Sequence, residues 1–174
     1  KFLNSFLQNM TIIIKNKETL LIDDFKFKCS IGRKGFSRYK KEGDNKTPIG
    51  TFKLGEIYYR RDRVKKFSSK LKTIIIKKNM GWCDDPKSKY YNRLIKIKKN
   101  LKISHEKLFR KDSKYDLFII IKYNYKKTYK NKGSAIFLHL TKNYLPTKGC
   151  IAVQKKDFLI INKLINKNTK IKIT

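Results

Sequence analysis

The sequence is short of acid. Against 45 lysines and arginines it carries 13 aspartates and glutamates, for a formal net charge of +32 at pH 7. Histidine is scarce too, with two, and proline, with three. Three cysteines, Cys29, Cys83 and Cys150, cannot close into a disulfide set. No CxxC or HxxxH spacing accompanies them, so neither a metal nor a cofactor is expected. No apolar run approaches the ~18 residues of a membrane span, so no transmembrane segment is expected. The opening residues, KFLNSFLQNM, do not make a complete signal peptide: Asn4, Ser5 and Gln8 break the apolar stretch, and no small-residue cleavage site follows. Residues 1–10 therefore read as an extension, and 11–174 as one domain of ordinary size.

Lysine is abundant, 38 residues against 7 arginines. The lysines run along the whole length and form no arm or single basic helix. Lysine is seldom fully buried, so most of this charge reads as solvated surface. Arginine, the residue suited to bidentate phosphate and guanine contacts, is the scarce one. An obligatory nucleic-acid partner is therefore not expected. Attraction to an anionic polymer, cell wall or nucleic acid, is the functional alternative, and a non-catalytic basic binding module is the second reading of this chain.

Short strand patterns dominate. TIII at 11–14 is β-branched, Asn16 and Lys17 make a turn, and 19–22 pairs back. Phe25, Phe27 and Cys29 alternate with Lys26, Lys28 and Ser30, as in a half-buried strand. Further strands are expected at 50–54, 73–76 and 117–121, and at 169–174. Ser104 reads as the N-cap of a short helix over 104–109, and apolar spacing predicts a second helix over 157–166. Many short strands with two small helices predict a mainly β domain, a sandwich or partly closed barrel.

The chemistry concentrates at 133–153, GSAIFLHLTKNYLPTKGCIAV. One apolar run carries His139; a loop follows, and Cys150 opens a second run. The spacing brings a thiol and an imidazole to neighbouring strand ends. Thiolate is the nucleophile of cysteine chemistry, and an imidazole can take the thiol's proton. A glycine before the nucleophile, Gly149, lets the backbone approach a carbonyl closely. Amides around Gly149 and Cys150 then face a developing oxyanion. An imidazole nearby is expected to lower the Cys150 pKa and leave this thiol the reactive one of the three, with Cys29 and Cys83 packed. The other histidine, His105, lies in the polar stretch at 104–109 and is read as non-catalytic.

This stretch resembles the catalytic motif of the L,D-transpeptidases (YkuD type), a histidine, a spacer, then Ser/Thr-His-Gly-Cys, an apolar residue and Asn or Arg. His139, Thr147, Gly149 and Cys150 match it; Lys148 stands at the second histidine and Ala152 at the Asn or Arg. EGDNKTPIGTFKLG at 42–55, GWCDDPKSKYYN at 81–92 and GSAIFLHL at 133–140 look like successive blocks of the same family. The resemblance implies a single L,D-transpeptidase-like catalytic domain, a cysteine acyltransferase without cofactor, acting as a monomer on peptidoglycan stem peptides. It implies Cys150, His139 and Gly149 as catalytic. Thr147, Lys148, Ser134, Tyr91, Asn92, Trp82 and Arg63 are the expected substrate-binding residues, and a hydroxyl, Ser134 or Thr147, or else a backbone carbonyl is expected to orient the imidazole. The substrate implies the cell envelope or periplasm; the missing signal peptide leaves the cytoplasm open.

Overall fold

Most strands here are short because apolar runs and apolar–lysine alternations last only a few residues before a turn intervenes; β6, with ten residues, is the long one. The computed structural model describes residues 10–174, so the expected N-terminal extension, Met10 aside, lies outside the described residues. In order come β1 (Thr11–Ile14), β2 (Thr19–Ile22), β3 (Phe25–Lys28), β4 (Phe36–Ser37), β5 (Thr47–Pro48), β6 (Gly50–Tyr59) and β7 (Thr73–Ile75). There follow β8 (Met80–Cys83), β9 (Leu94–Lys96), β10 (His105–Lys107), β11 (Leu117–Ile121), β12 (Phe137–Leu140) and β13 (Ile151–Val153). The chain ends with the helix α1 (Lys155–Leu164) and β14 (Lys170–Ile173).

The main sheet runs β13-β12-β11-β6-β14-β1-β2-β3, with β7 beside the second half of β6. Its two ends meet. Ser30, just past β3, exchanges both backbone hydrogen bonds with Ala152 of β13, each 2.9 Å. A sheet closed on itself has fewer unpaired edges, and this closure makes the expected partly closed barrel. β8, β9 and β10 form a separate three-stranded sheet.

β11 shows how the layers are made. Leu117, Ile119 and Ile121 enter one buried cluster with Ile12, Leu138, Ile151 and the helix residues Phe158 and Ile161. Phe118 and Ile120 enter a second cluster with Tyr58, Trp82, Tyr115, Phe137 and Cys150. Successive strand side chains point to opposite faces, so a strand with a core on each side is apolar throughout. His139 and Cys150 fall on the second face.

Two expectations change. Residues 105–107 form β10 and not a helix, paired antiparallel with β8, Glu106 opposite Trp82. A stretch this short has weak local preference, and pairing to a neighbouring strand overrides it. Among the described residues α1 is thus the one helix. The strand at 50–54 continues to Tyr59, which makes Tyr58 a core residue stacked on Phe118 at 4.8 Å.

Candidate active site

Register sets the site. β12 and β13 are parallel, with His139 opposite Ala152 and Leu138 opposite Ile151. Cys150 precedes β13 by one residue and so shares a face with Ala152 and His139. A slip of one residue between the two strands would put the imidazole and the thiol on opposite faces. His139 and Cys150 line one open cleft of about 1450 Å³. They are 7% and 8% exposed.

The turn before Cys150 is held from two sides. Thr147 Oγ1 donates to Cys150 O at 2.6 Å and accepts the Gly149 amide at 3.0 Å. Thr47 Oγ1 donates to Gly149 O and accepts the Gly32 amide, both at 2.9 Å. Gly149 has φ +136°, and a Cβ there would lie 2.7 Å from Lys46 O, so glycine is required. Thr147 is therefore a brace of the turn. The Gly149 amide, expected to face an oxyanion, is spent on Thr147.

The Cys150 thiol donates to Ala135 O at 3.1 Å, and its sulfur receives the Phe137 amide at 3.4 Å. Burial, and after it the charge of Glu106, push this thiol up to about 12. The expected low pKa is corrected: a sulfur desolvated on this face gains more from staying protonated than the Phe137 amide and the Lys40 cation offer its charged form. The imidazole is also neutral. Burial pulls His139 down to about 4. His139 Nδ1 lies 2.8 Å from Leu140 O, and a carbonyl accepts only, so Nδ1 carries the proton and Nε2 is left as the acceptor. The carbonyl, and neither Ser134 nor Thr147, orients the ring. Tyr115 supports it edge-to-face at 5.4 Å, and the Tyr115 hydroxyl donates to Glu106 Oε1 at 2.7 Å.

The remaining expected residues divide. Lys148, Ser134 and Arg63 line the cleft. Lys148 is exposed, whereas the Ser134 hydroxyl is buried beside Tyr91 without a well-formed hydrogen bond. Arg63 is committed to Asp116 Oδ1, Asp112 O and Lys111 O, each 2.9 Å away, and so is not free to grip a substrate carboxylate. Trp82, Tyr91 and Asn92 are buried behind the wall. The aromatic that lines the cleft is Tyr115 instead. Trp82 Nε1 and the Ala135 amide both donate to Asn92 Oδ1, at 2.9 and 3.1 Å. Tyr91 Oη accepts the Gly133 amide at 2.9 Å and donates to Glu42. These three residues thereby hold the 133–135 segment whose carbonyl receives the thiol. The other cysteines, Cys29 and Cys83, are free and buried. His105, on β10, bonds Ile103 O through Nδ1 at 2.6 Å.

The sequence profile of the YkuD family, the L,D-transpeptidase catalytic domain, matches residues 7–173. The chain belongs to this family. The three blocks at 42–55, 81–92 and 133–140 meet at Tyr91, which joins Glu42 to Gly133. No curated protein matches the sequence. Among solved structures the fold is similar to that of the helical cell shape determining protein Pgp2 from Campylobacter jejuni. The TM-score is 0.50 and the identity 15%, over 96% of this chain and 47% of that one. It is also similar to Bd1075 of Bdellovibrio bacteriovorus, with TM-score 0.51 and 15% identity over 97% of this chain and 49% of that one. The chain thus spans about half the length of either. These likenesses concern the fold.

Four residues the sequence reading passed over belong to the site: Thr47, Tyr115, Glu106 and Lys40. Lys40 is 4% exposed, paired with Asp44 at 2.6 Å, and lines the cleft between Gly133 and Gly149. Among the described residues no group of three or more His, Cys, Asp or Glu is placed to hold a metal, and no helix is long and apolar enough to cross a membrane.

Proposed function

We propose that the chain is a cysteine acyltransferase of the cell envelope that acts on peptidoglycan stem peptides. The observation that supports this reading is that Cys150 and His139, whose Nε2 is unprotonated, share one face at neighbouring strands and line one cleft. Membership in the L,D-transpeptidase family supplies the substrate class.

The resting pair is neutral on both sides. The thiol proton points at Ala135 O. Substrate must draw the thiol round to Nε2, where the proton leaves as sulfur bonds the carbonyl carbon of the residue before the terminal D-amino acid. The amide of Cys150 is the candidate oxyanion donor, Gly149 N being committed to Thr147. The imidazolium then protonates the leaving amine, and a thioester remains on Cys150. An amine from a second stem resolves it by transpeptidation, water by carboxypeptidation. Lys148, exposed at the rim, is placed to attract a stem carboxylate.

Intact-mass analysis after incubation with tetrapeptide stems, and separately with a carbapenem, tests the proposal. Addition of one acyl group to the wild type, lost in Cys150→Ala and His139→Ala, is expected. The second reading, a non-catalytic basic module, has the +32 charge in its favour; it requires no adduct in any variant and polymer binding indifferent to Cys150→Ala.

A further inference from the structure

One carboxylate in this cleft is poorly compensated. Glu106 sits on β10, in the small sheet that forms part of the cleft wall, and its side chain is 32% exposed. It takes one hydrogen bond, from Tyr115. Its nearest cation, Arg110, stands 3.8 Å away and gives its close contacts to Asp112, at 2.6 to 3.2 Å. Burial raises the Glu106 pKa above the ordinary carboxylate value, so it holds a proton more readily than a free carboxylate; Lys148 and Asp84 also act on it, in opposite directions, and Asp84 is tied to the Ser104 hydroxyl at 2.6 Å. The other acids lining the cleft are bound tightly: Glu42 to Tyr91, Asp112 to Arg110, Asp116 to Arg63. Glu106 packs through Tyr115 onto His139, and its charge opposes formation of the Cys150 thiolate. In the resting cleft this weakly paired carboxylate holds the nucleophile back. A cation from outside would remove the hindrance.

Resting on the acyltransferase reading, we propose that Glu106 is the amine-binding residue of the cleft: its carboxylate receives the primary ammonium of the acyl acceptor and takes one of its protons. The balance is complete. The ammonium gives one proton to Glu106, and its nitrogen attacks the thioester carbonyl. The C–N bond forms, the C–S bond breaks and the electron pair returns to Cys150. The second amine proton passes through His139 Nε2 to that sulfur, leaving an amide, a thiol and a neutral Glu106. In a molecule of net charge +32, which repels cations at long range, a carboxylate lining the same cleft as Cys150 selects the amine over water.

Two measurements test this. The first is the ratio of amide to acid product from a tetrapeptide stem with butylamine as acceptor. Glu106→Gln keeps the acceptor oxygen for Tyr115 and loses the charge, so the ratio should fall about tenfold. Hydroxylamine, neutral near pH 7.5, should show about the same ratio in both proteins, and Glu106→Asp should fall between. An unchanged butylamine ratio in Glu106→Gln overturns the proposal, as does an equal fall with hydroxylamine. The second needs no turnover: iodoacetamide labelling of Cys150 in the wild type should speed up severalfold when butylammonium is added, by cancelling the Glu106 charge. Sodium at the same ionic strength should leave the rate as it was. Labelling that ignores butylammonium overturns the proposal. If no acyl-enzyme forms at all, the acyltransferase reading fails, and the labelling still decides whether Glu106 binds an ammonium.

Discussion

Acid should weaken this fold through His139, and the size of the effect follows from burial. The His139 imidazole falls from the ordinary 6.5 to about 4 because a buried ring on this face resists charge. A group whose folded pKa is depressed contributes stability that is complete above 6.5 and is lost as pH drops toward 4. Between about pH 8 and about pH 4.5 the linkage amounts to ~2.5 kcal/mol, set by the protons that the unfolded chain binds and the folded chain refuses. His139→Gln has a polar side chain of similar reach and no titration. Urea unfolding of both proteins at the two pH values isolates the histidine, since Asp62, Asp112 and the other shifted groups titrate alike in each. The wild type should lose ~2.5 kcal/mol more than the variant over this interval. Equal losses would mean that His139 is solvated enough to charge freely, and the neutral resting pair would go with it.

Three more outcomes are expected. Alkylation of Cys150 by iodoacetamide at neutral pH should run about a thousandfold slower than that of a cysteine in an unstructured peptide, because burial holds the thiol near 12 against the ordinary 9.0; a rate above the peptide's would refute the buried-thiol geometry. Thr47→Val removes the hydroxyl shared by Gly32 and Gly149, and should lower stability by about 1–3 kcal/mol in urea unfolding and slow carbapenem acylation; acylation at the wild-type rate would detach Thr47 from the nucleophile turn. Lys148→Ala should raise KM for tetrapeptide stems while keeping most of kcat, and a folded but inactive variant would make Lys148, not His139, the base.

Much of the site was legible because it depends on a period of two. FLHL and CIAV alternate so that histidine and cysteine share a face once the two runs are paired in parallel, and the pairing of short apolar strands is what such runs favour. The glycine before Cys150 was legible too, since its positive φ admits little else. The wall opposite was not. Glu106 lies in a three-residue strand whose partner β8 is more than twenty residues away, so no local pattern marks it, and SHEKLF scans as a helix start. Arg63 reads as a substrate-binding residue because its partners, Asp112 O and Asp116, are about fifty residues downstream.

The mistaken pKa of Cys150 has the most instructive cause. Proximity to an imidazole lowers a thiol only when the imidazole is charged, and that depends on what surrounds both. Here the same apolar face that the register gives to Phe118, Phe137 and Trp82 also receives His139 and Cys150, so burial neutralises imidazole and thiol together. Under the proposed acyltransferase reading, a pair that rests neutral does not attack until substrate brings polar atoms into the cleft and turns the thiol away from Ala135 O. Selectivity against adventitious electrophiles then follows from the same burial that holds the strands in register. The charge of Glu106 adds to that restraint.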